Sequence, residues 1–417
     1  MAIFRNIFFV GALLFLVGCS SFKPLERADF LRSDTALVSY LRSENIEVTK
    51  QNDIEFLNGG AEKFPRLFED VRNAQKHIHL EYFNFRNDSL NSILISLLAE
   101  KAQQGVKVRA MFDSFGNKSN NRPLKKRHLE DMRARGIEIV EFDPFTFPWI
   151  DYALARDHRK IVVIDGKIGY TGGINVADYY VDGLEGIGKW RDMHARVQGE
   201  SVAELQKIFL AMWNRETGQN VGGDTYFPAV ASEVGDVDIA VVDRWPGKNP
   251  KQMRRIYANA INAAKDSIQI INPYFVPTPI IRKALKKAVK DGVKVDILLS
   301  DKSDIPFTPE ASHYVGYKLA KLGANVHLYY GGFNHSKVMS IDGKFCTVGS
   351  TNLNSRSLFY DYEDNLFIFD KDATSKLYSY YSADKSESYQ LTREVWKKRS
   401  WWKRFTGWFA NILTPFL

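Results

Sequence analysis

Residues 157–175, DHRKIVVIDGKIGYTGGIN, return at 334–352 as NHSKVMSIDGKFCTVGSTN. With the variable positions removed, both copies reduce to H-x-K-x4-D-x6-G-[GS]-x-N, so the fold must accommodate one local structure twice. The first copy supplies His158, Lys160, Asp165, Gly172, Gly173 and Asn175; the second supplies His335, Lys337, Asp342, Gly349, Ser350 and Asn352.

The duplication extends beyond the motif. KHIHLEYFNF (76–85) corresponds to DSIQIINPYFVP (266–277), each a β-rich run leading into an amphipathic helix, from Leu90 and Pro279 respectively. QQGVKVRAMF and KDGVKVDILL follow, with Gly105 and Gly292 as helix stops before a buried strand. RARGIEIVEF and KLAKLGANVHLYY then repeat the arrangement. Strands alternating with helices predict the α/β class: two tandem α/β halves with mixed, largely parallel sheets related by a pseudo-twofold axis. The expected divisions are a segment over 1–19, a first half over 20–219, a linker over 220–247, a second half over 248–395 and a tail over 396–417. Ala373 to Lys398 reads as a terminal helix.

On an extended segment, residues two apart face the same way, so each histidine and its lysine project together. Near neutral pH an imidazole can attack phosphorus or exchange a proton, and a paired lysine neutralises phosphate oxygens as charge develops. One histidine attacking while another protonates the leaving alcohol requires the two copies to face each other. Each copy then supplies half of one site. Asn175 and Asn352 can donate to phosphate oxygens, while the adjoining glycines and Ser350 allow close backbone approach. HIHLE places His77, His79 and Glu81 on one strand face, but no second ligand cluster accompanies them. No metal or other cofactor is expected, and Glu81 is placed near the pocket rim. GLEGIGKW (183–190) lacks the order of a dinucleotide loop and reads as a mobile loop beside the site.

The net charge of +8 favours an anionic partner: a nucleic acid, an anionic bilayer or a phosphate-bearing substrate. Two cysteines are too few for a disulfide framework. Cys346 is expected to be a small buried residue on a strand. Cys19 lies near the end of MAIFRNIFFVGALLFLVGCSS, which resembles a bacterial lipoprotein signal whose cysteine is acylated; a lipid anchor facing outside the cytoplasm is the expectation, with an uncleaved anchor as the alternative. At the other end, WKKRSWWKRFTGWFANILTPFL interleaves basic and aromatic residues, a composition suited to an anionic membrane interface.

The two motifs resemble the HKD signatures of the phospholipase D superfamily. From about residue 50 onward, with NPYFVPTP and STNLNSRSLFYDYEDN, the chain is similar to bacterial cardiolipin synthases. That resemblance implies a membrane-attached phosphatidyltransferase that joins two phosphatidylglycerol molecules into cardiolipin and glycerol through a phosphatidyl-histidine intermediate. It implies His158 as nucleophile and His335 as general acid and then base, with the exchanged roles as the alternative. Asp165 and Asp342 belong to the signature, and the family analogy makes them more structural than chemical. Imidazole orientation is assigned to Asp192 in KWRDMHARV and Glu363 in DYEDN, which match acidic positions of the family. The same motifs serve phospholipases and phosphatidylserine synthases, which differ in the acceptor. A superfamily nuclease is the reading from another class; the acylated cysteine and the aromatic tail weigh against a nucleic-acid partner. Oligomeric state is left open, because one chain holds both halves of the site.

Overall fold

The computed structural model describes residues 22, 24, 25, 35–143, 155–231 and 234–412. Cys19 and the apolar run before it lie outside the described residues. In chain order the strands along the first part of the chain are β1 (Val48–Thr49), β2 (Asn52–Asn58), β3 (His77–Tyr82), β4 (Lys107–Asp113), β5 (Glu138–Phe142), β6 (Lys160–Ile164), β7 (Ile168–Gly172), β8 (Lys189–Arg191) and β9 (Met193–Gly199). Those of the second are β10 (Asp238–Arg244), β11 (Ser267–Ile271), β12 (Lys294–Ser300), β13 (Asn325–Tyr329), β14 (Gly332–Asn334), β15 (Val338–Ile341), β16 (Phe345–Gly349), β17 (Glu363–Phe369) and β18 (Ser388–Gln390).

They form a seven-stranded sheet, β2-β9-β7-β6-β3-β4-β5, and a nine-stranded sheet, β1-β10-β17-β16-β15-β11-β12-β13-β18. Setting aside the edge strands β1 and β18, the two sheets have the same order and the same strand directions. This is the duplication read in the sequence. The α/β class and the mixed sheets are as expected, but parallel pairing is the minor part. Only β3-β4-β5 and β11-β12-β13 are parallel; the other pairings along each duplicated sheet are antiparallel. The motif itself causes this. Asp165 and Gly166 have φ of 55° and 66°, and Asp342 and Gly343 have 54° and 63°, the Asp-Gly pattern of a hairpin turn that reverses β6 into β7 and β15 into β16.

The motif strands are apolar on both faces because both faces are covered. Ile161 and Val163 of β6 meet Val338 of β15 and Cys346 and Val348 of β16 in a core between the two sheets, joined by Leu205 and Leu377 from the helices Ser201–Thr217 and Lys371–Ser386. Val162 and Ile164 point the other way, toward the helices Gly60–Asn73 and Ser89–Gln103. Cys346 is fully buried on β16, as expected, and burial pushes its thiol up to about 12.

Two boundaries differ from the sequence expectation. Strand β10 lies inside the segment read as linker and pairs with β17. The helix Ala36–Ser43 and strand β1 precede the first sheet in the chain but pack into the second half, where β1 pairs with β10. The expected terminal helix also divides: Lys371–Ser386 ends, β18 pairs with the edge strand β13, and Arg393–Lys398 and Trp401–Ile412 follow as separate helices. Among the described residues no helix is long and apolar enough to cross a membrane.

Candidate active site

Each histidine is delivered to an acid of the other half by a short parallel pairing. Strand β8 pairs with β14, with Arg191 opposite Asn334, so Asp192 and His335 are the next residues in register. The amide of His335 donates to the carbonyl of Arg191 at 2.6 Å, and Nδ1 of His335 lies 2.7 Å from Oδ2 of Asp192. Asp384 clips the two strands together, accepting from the Arg191 guanidinium at 2.8 Å and from Nδ2 of Asn334 at 2.8 Å. The first motif uses the same device. Asp157 bridges Tyr362 in parallel, the amide of His158 donates to the Tyr362 carbonyl at 3.0 Å, and the next pair in register is His158 with Glu363. There Nδ1 of His158 sits 3.3 Å from Oε1 and 3.4 Å from Oε2. Asp192 and Glu363 thus hold the imidazoles, but crosswise.

The lysines stay with their own histidines, as the two-residue spacing requires. Nζ of Lys160 donates to the carbonyl of His158; Nζ of Lys337 reaches the carbonyl of His335 and lies 2.9 and 3.0 Å from its two ring nitrogens. Burial holds the His158 imidazole well below its usual value, and Lys160, Lys337 and His335 push the same way. Residues of both halves therefore act on one ring, and the motifs form one site. His335 is lowered by burial and by Lys337, while Asp192 opposes the shift through charge and hydrogen bond. Lys337 is pushed down to about 7 by burial, against the pull of Asp192. Burial raises the Glu363 carboxyl, with Lys160 and Ser350 opposing.

Asp165 and Asp342, grouped with the chemical residues in the signature, stand away from the imidazoles. They lie five residues along β6 and β15 from the lysines, about 16 Å on an extended strand. Asp165 accepts from the amides of Gln75, Lys76 and His77, and Asp342 from those of Lys265, Asp266 and Ser267, at 2.7–2.9 Å. Their carboxylates are spent on the starts of β3 and β11. Ser350 faces Glu363: its hydroxyl donates to Oε2. The equivalent Gly173 leaves room for Asp192, since a Cβ there would lie 2.0 Å from Oδ1. Nδ2 of Asn175 donates to the Tyr180 hydroxyl at 3.0 Å, and the carboxamide oxygens of Asn175 and Asn352 are buried without a hydrogen-bond partner.

Other expectations resolve differently. Glu81 is fully buried rather than at a rim, paired with Arg159 at 3.2 Å. His77 and His79 share the carboxamide of Gln206, and burial pushes His77 down to about 4, which keeps it neutral. The 183–190 loop is closed by backbone bonds between Leu184 and Gly188 at 2.8 and 2.9 Å, and its last residue, Trp190, lies in β8 beside the site. Sequence reasoning left the walls unassigned. Trp190, Phe333 and Tyr274 lie 5.5, 5.5 and 5.9 Å from the His335 ring, and Phe83 lies 4.8 Å from that of His158. Arg356, ion-paired to Asp361 at 3.1 Å, adds a cation whose field reaches His158. Two buried imidazoles, each braced by an acid of the other half and each with its own lysine alongside, can exchange the alcohol of a phosphodiester.

A family described as "Cardiolipin synthase, PLD-like domain" matches residues 67–213 and 257–385. The cardiolipin synthase of Staphylococcus aureus strain Mu50 is 36% identical over 373 residues, covering 89% of this chain and 74% of that protein. That of Oceanobacillus iheyensis is 33% identical over 390 residues, covering 93% and 80%. The crystal structure of phosphatidylserine synthase from Haemophilus influenzae Rd KW20 superposes with a TM-score of 0.67 over 91% of this chain and 100% of that one; at 14% identity the likeness is one of fold.

Proposed function

Because the chain belongs to the phospholipase D-like cardiolipin synthase family, we propose that this phosphatidyltransferase joins two phosphatidylglycerol molecules into cardiolipin and releases glycerol. Nε2 of His158 attacks the phosphorus of the first lipid. A P–N bond forms, the P–O bond to the glycerol headgroup breaks, and His335 gives its proton to the departing oxygen. A hydroxyl of the second phosphatidylglycerol then returns a proton to His335 as its oxygen takes the phosphorus and the P–N bond breaks. One phosphodiester replaces another, so bonds and protons balance without a nucleotide.

The observation that carries the division of roles is the tighter hold of an acid on His335 than on His158. Burial lowers both, but on His335 Asp192, at 2.7 Å, opposes it by charge and hydrogen bond, whereas Glu363 lies 3.3–3.4 Å from His158 and burial with the nearby cations holds that ring well below its usual value. The Lys160 and Lys337 ammonium groups complement the phosphate charge.

The test is incubation of detergent-solubilised protein with labelled phosphatidylglycerol as sole lipid and separation of products by mass. Cardiolipin with free glycerol supports the reading; phosphatidic acid alone makes water the acceptor and overturns it. Membrane attachment through Cys19 and the C-terminal tail, outside the cytoplasm, belongs to the same proposal. Loss of metabolic palmitate label in a Cys19→Ala variant supports the anchor, and an unlabelled wild type refutes it.

A further inference from the structure

The Trp401–Ile412 helix is folded onto the protein, not free of it. Gly407 packs on the carbonyl of Glu310, Arg399 just before the helix lies 3.7 Å from the Glu310 carboxylate, and Asn411 accepts from Arg282 at 2.8 Å. Its opposite side is left bare. Trp401, Trp402, Phe405, Trp408, Phe409 and Ile412 are each between 37% and 66% exposed. At about 100° per residue they fall on one stripe about 120° wide, separate from the line through Gly407 and Asn411. An apolar face this large is unusual on a soluble surface.

The helix is joined to the surroundings of the site through Glu310. Ile305 and Phe307, 48% and 63% exposed, immediately precede the Thr308–Ala320 helix, three to five residues before the Glu310 that holds both Arg399 and Gly407. In the same loop Asp304 accepts from the hydroxyl of Tyr274, whose ring wall faces His335 at 5.9 Å. Cations lie around the helix. Lys403 and Arg404 lie on the helix itself, Lys397 and Lys398 precede it, and Arg282, Lys286 and Lys318 line a groove of about 290 Å³ where Asn411 meets the two neighbouring helices.

We propose that this aromatic face, together with Ile305 and Phe307, is the surface on which the protein lies against an anionic bilayer, so that a lipid headgroup reaches His335 past the 301–307 loop and Tyr274. The basic residues around the helix, and its link through Glu310 to the loop that holds Tyr274, select an anionic bilayer as the occupant; exposed tryptophans with cations nearby are the side chains that settle at the headgroup boundary. This rests on the reading that the substrate is a membrane phospholipid. Mooring at the mouth keeps the headgroup within reach while the acyl chains remain in the membrane.

The experiment uses the full chain and vesicles of phosphatidylglycerol and phosphatidylcholine whose acyl chains are brominated, with tryptophan fluorescence as the readout. Three of the eight tryptophans lie on the stripe, so quenching of about a third of the emission is expected. A Trp401→Phe/Trp402→Phe/Trp408→Phe variant, still apolar, should lose that component. Quenching that is absent, or unchanged in the triple variant, overturns the proposal even if another anchor holds the protein on the vesicle; a dimer on size exclusion would then give the face to a second copy. Separately, Ile305→Ser/Phe307→Ser should lower turnover of vesicle phosphatidylglycerol about tenfold while sparing short-chain lipid in micelles. Equal loss on both would make the loop part of the reaction centre and refute its docking role. If neither form is turned over by the wild type, the functional reading has failed, and the quenching result still decides the surface.

Discussion

Asp192, carried by the first half, lies 2.7 Å from Nδ1 of His335, carried by the second. The arrangement follows from register: a three-residue parallel pairing ends one residue short of both side chains. The expected consequence is crosswise titration. Asp192→Asn should lower the pKa of His335 and leave that of His158, and Glu363→Gln should act on His158 alone, because removing an anion disfavours the nearby imidazolium. NMR titration of the two ring resonances decides it; a shift at the histidine of the same half would refute the crossing.

The division of roles can be read from leaving groups. With phosphatidylglycerol, Asp192→Asn should slow turnover by about 100-fold, the range of one lost proton transfer. A phosphatidyl p-nitrophenyl ester needs no protonation of its leaving group, so in the burst of p-nitrophenol release, which reports the first half-reaction, the same variant should recover most of the loss. Glu363→Gln, which acts on the attacking ring, should not be rescued. Rescue of Glu363→Gln instead would exchange the roles of the two histidines.

Lys337 loses its proton near neutrality in the free protein, being pushed down to about 7 by burial. Its charge is present below that value and disappears above it, so kcat/KM for an anionic lipid should fall as pH rises through about 7. A bound phosphate restores the charge, and the corresponding limb of kcat should lie at higher pH. Lys337→Arg remains charged, so at reduced activity its kcat/KM limb should move to higher pH; an unmoved limb would assign the titration elsewhere.

Asp342 accepts three backbone amides at the head of β11 and sits at φ 54°. Asp342→Ala should cost about 2–4 kcal/mol, from lost charge-assisted bonds and a strained backbone, measured as a lowered Tm. Activity per folded molecule should stay within about threefold, since the carboxylate touches neither imidazole. A dead but fully stable variant would return Asp342 to the reaction centre.

The repeated motif made most of this legible. Its Asp-Gly turn, its two-residue His-Lys spacing and its apolar strand all report local physics, and the structure realises them twice. What stayed hidden depends on long-range packing. Nothing local marks β1 and the Ala36–Ser43 helix as belonging to the second half, because edge pairing with β10 is decided by a strand some 190 residues away. The crossing of Asp192 and Glu363 was equally invisible: sequence places each acid just downstream of its own motif, whereas the β8–β14 pairing sends Asp192 to the other. Trp190 and Tyr274 stood in quoted segments, yet their approach to His335 has no periodic signature. The bulk of the antiparallel pairing was concealed because short apolar runs look alike in parallel and antiparallel sheets.

Gly173 and Ser350 occupy equivalent motif positions and meet their acids differently. A Cβ on Gly173 would fall 2.0 Å from Oδ1 of Asp192, while Ser350 donates its hydroxyl to Glu363. Gly173→Ala must displace Asp192 from His335 and should cost about 100-fold, like loss of the acid itself. Ser350→Ala removes one hydrogen bond from Glu363, worth about 1 kcal/mol, so about a fivefold loss is expected. The p-nitrophenyl ester separates them further: its burst of p-nitrophenol release should be restored in Gly173→Ala, whose first-step defect runs through the proton donor, and stay slow in Ser350→Ala, whose defect runs through the nucleophile. Equal behaviour of the two variants on both substrates would mean that these positions shape the turn alone and do not hold the acids.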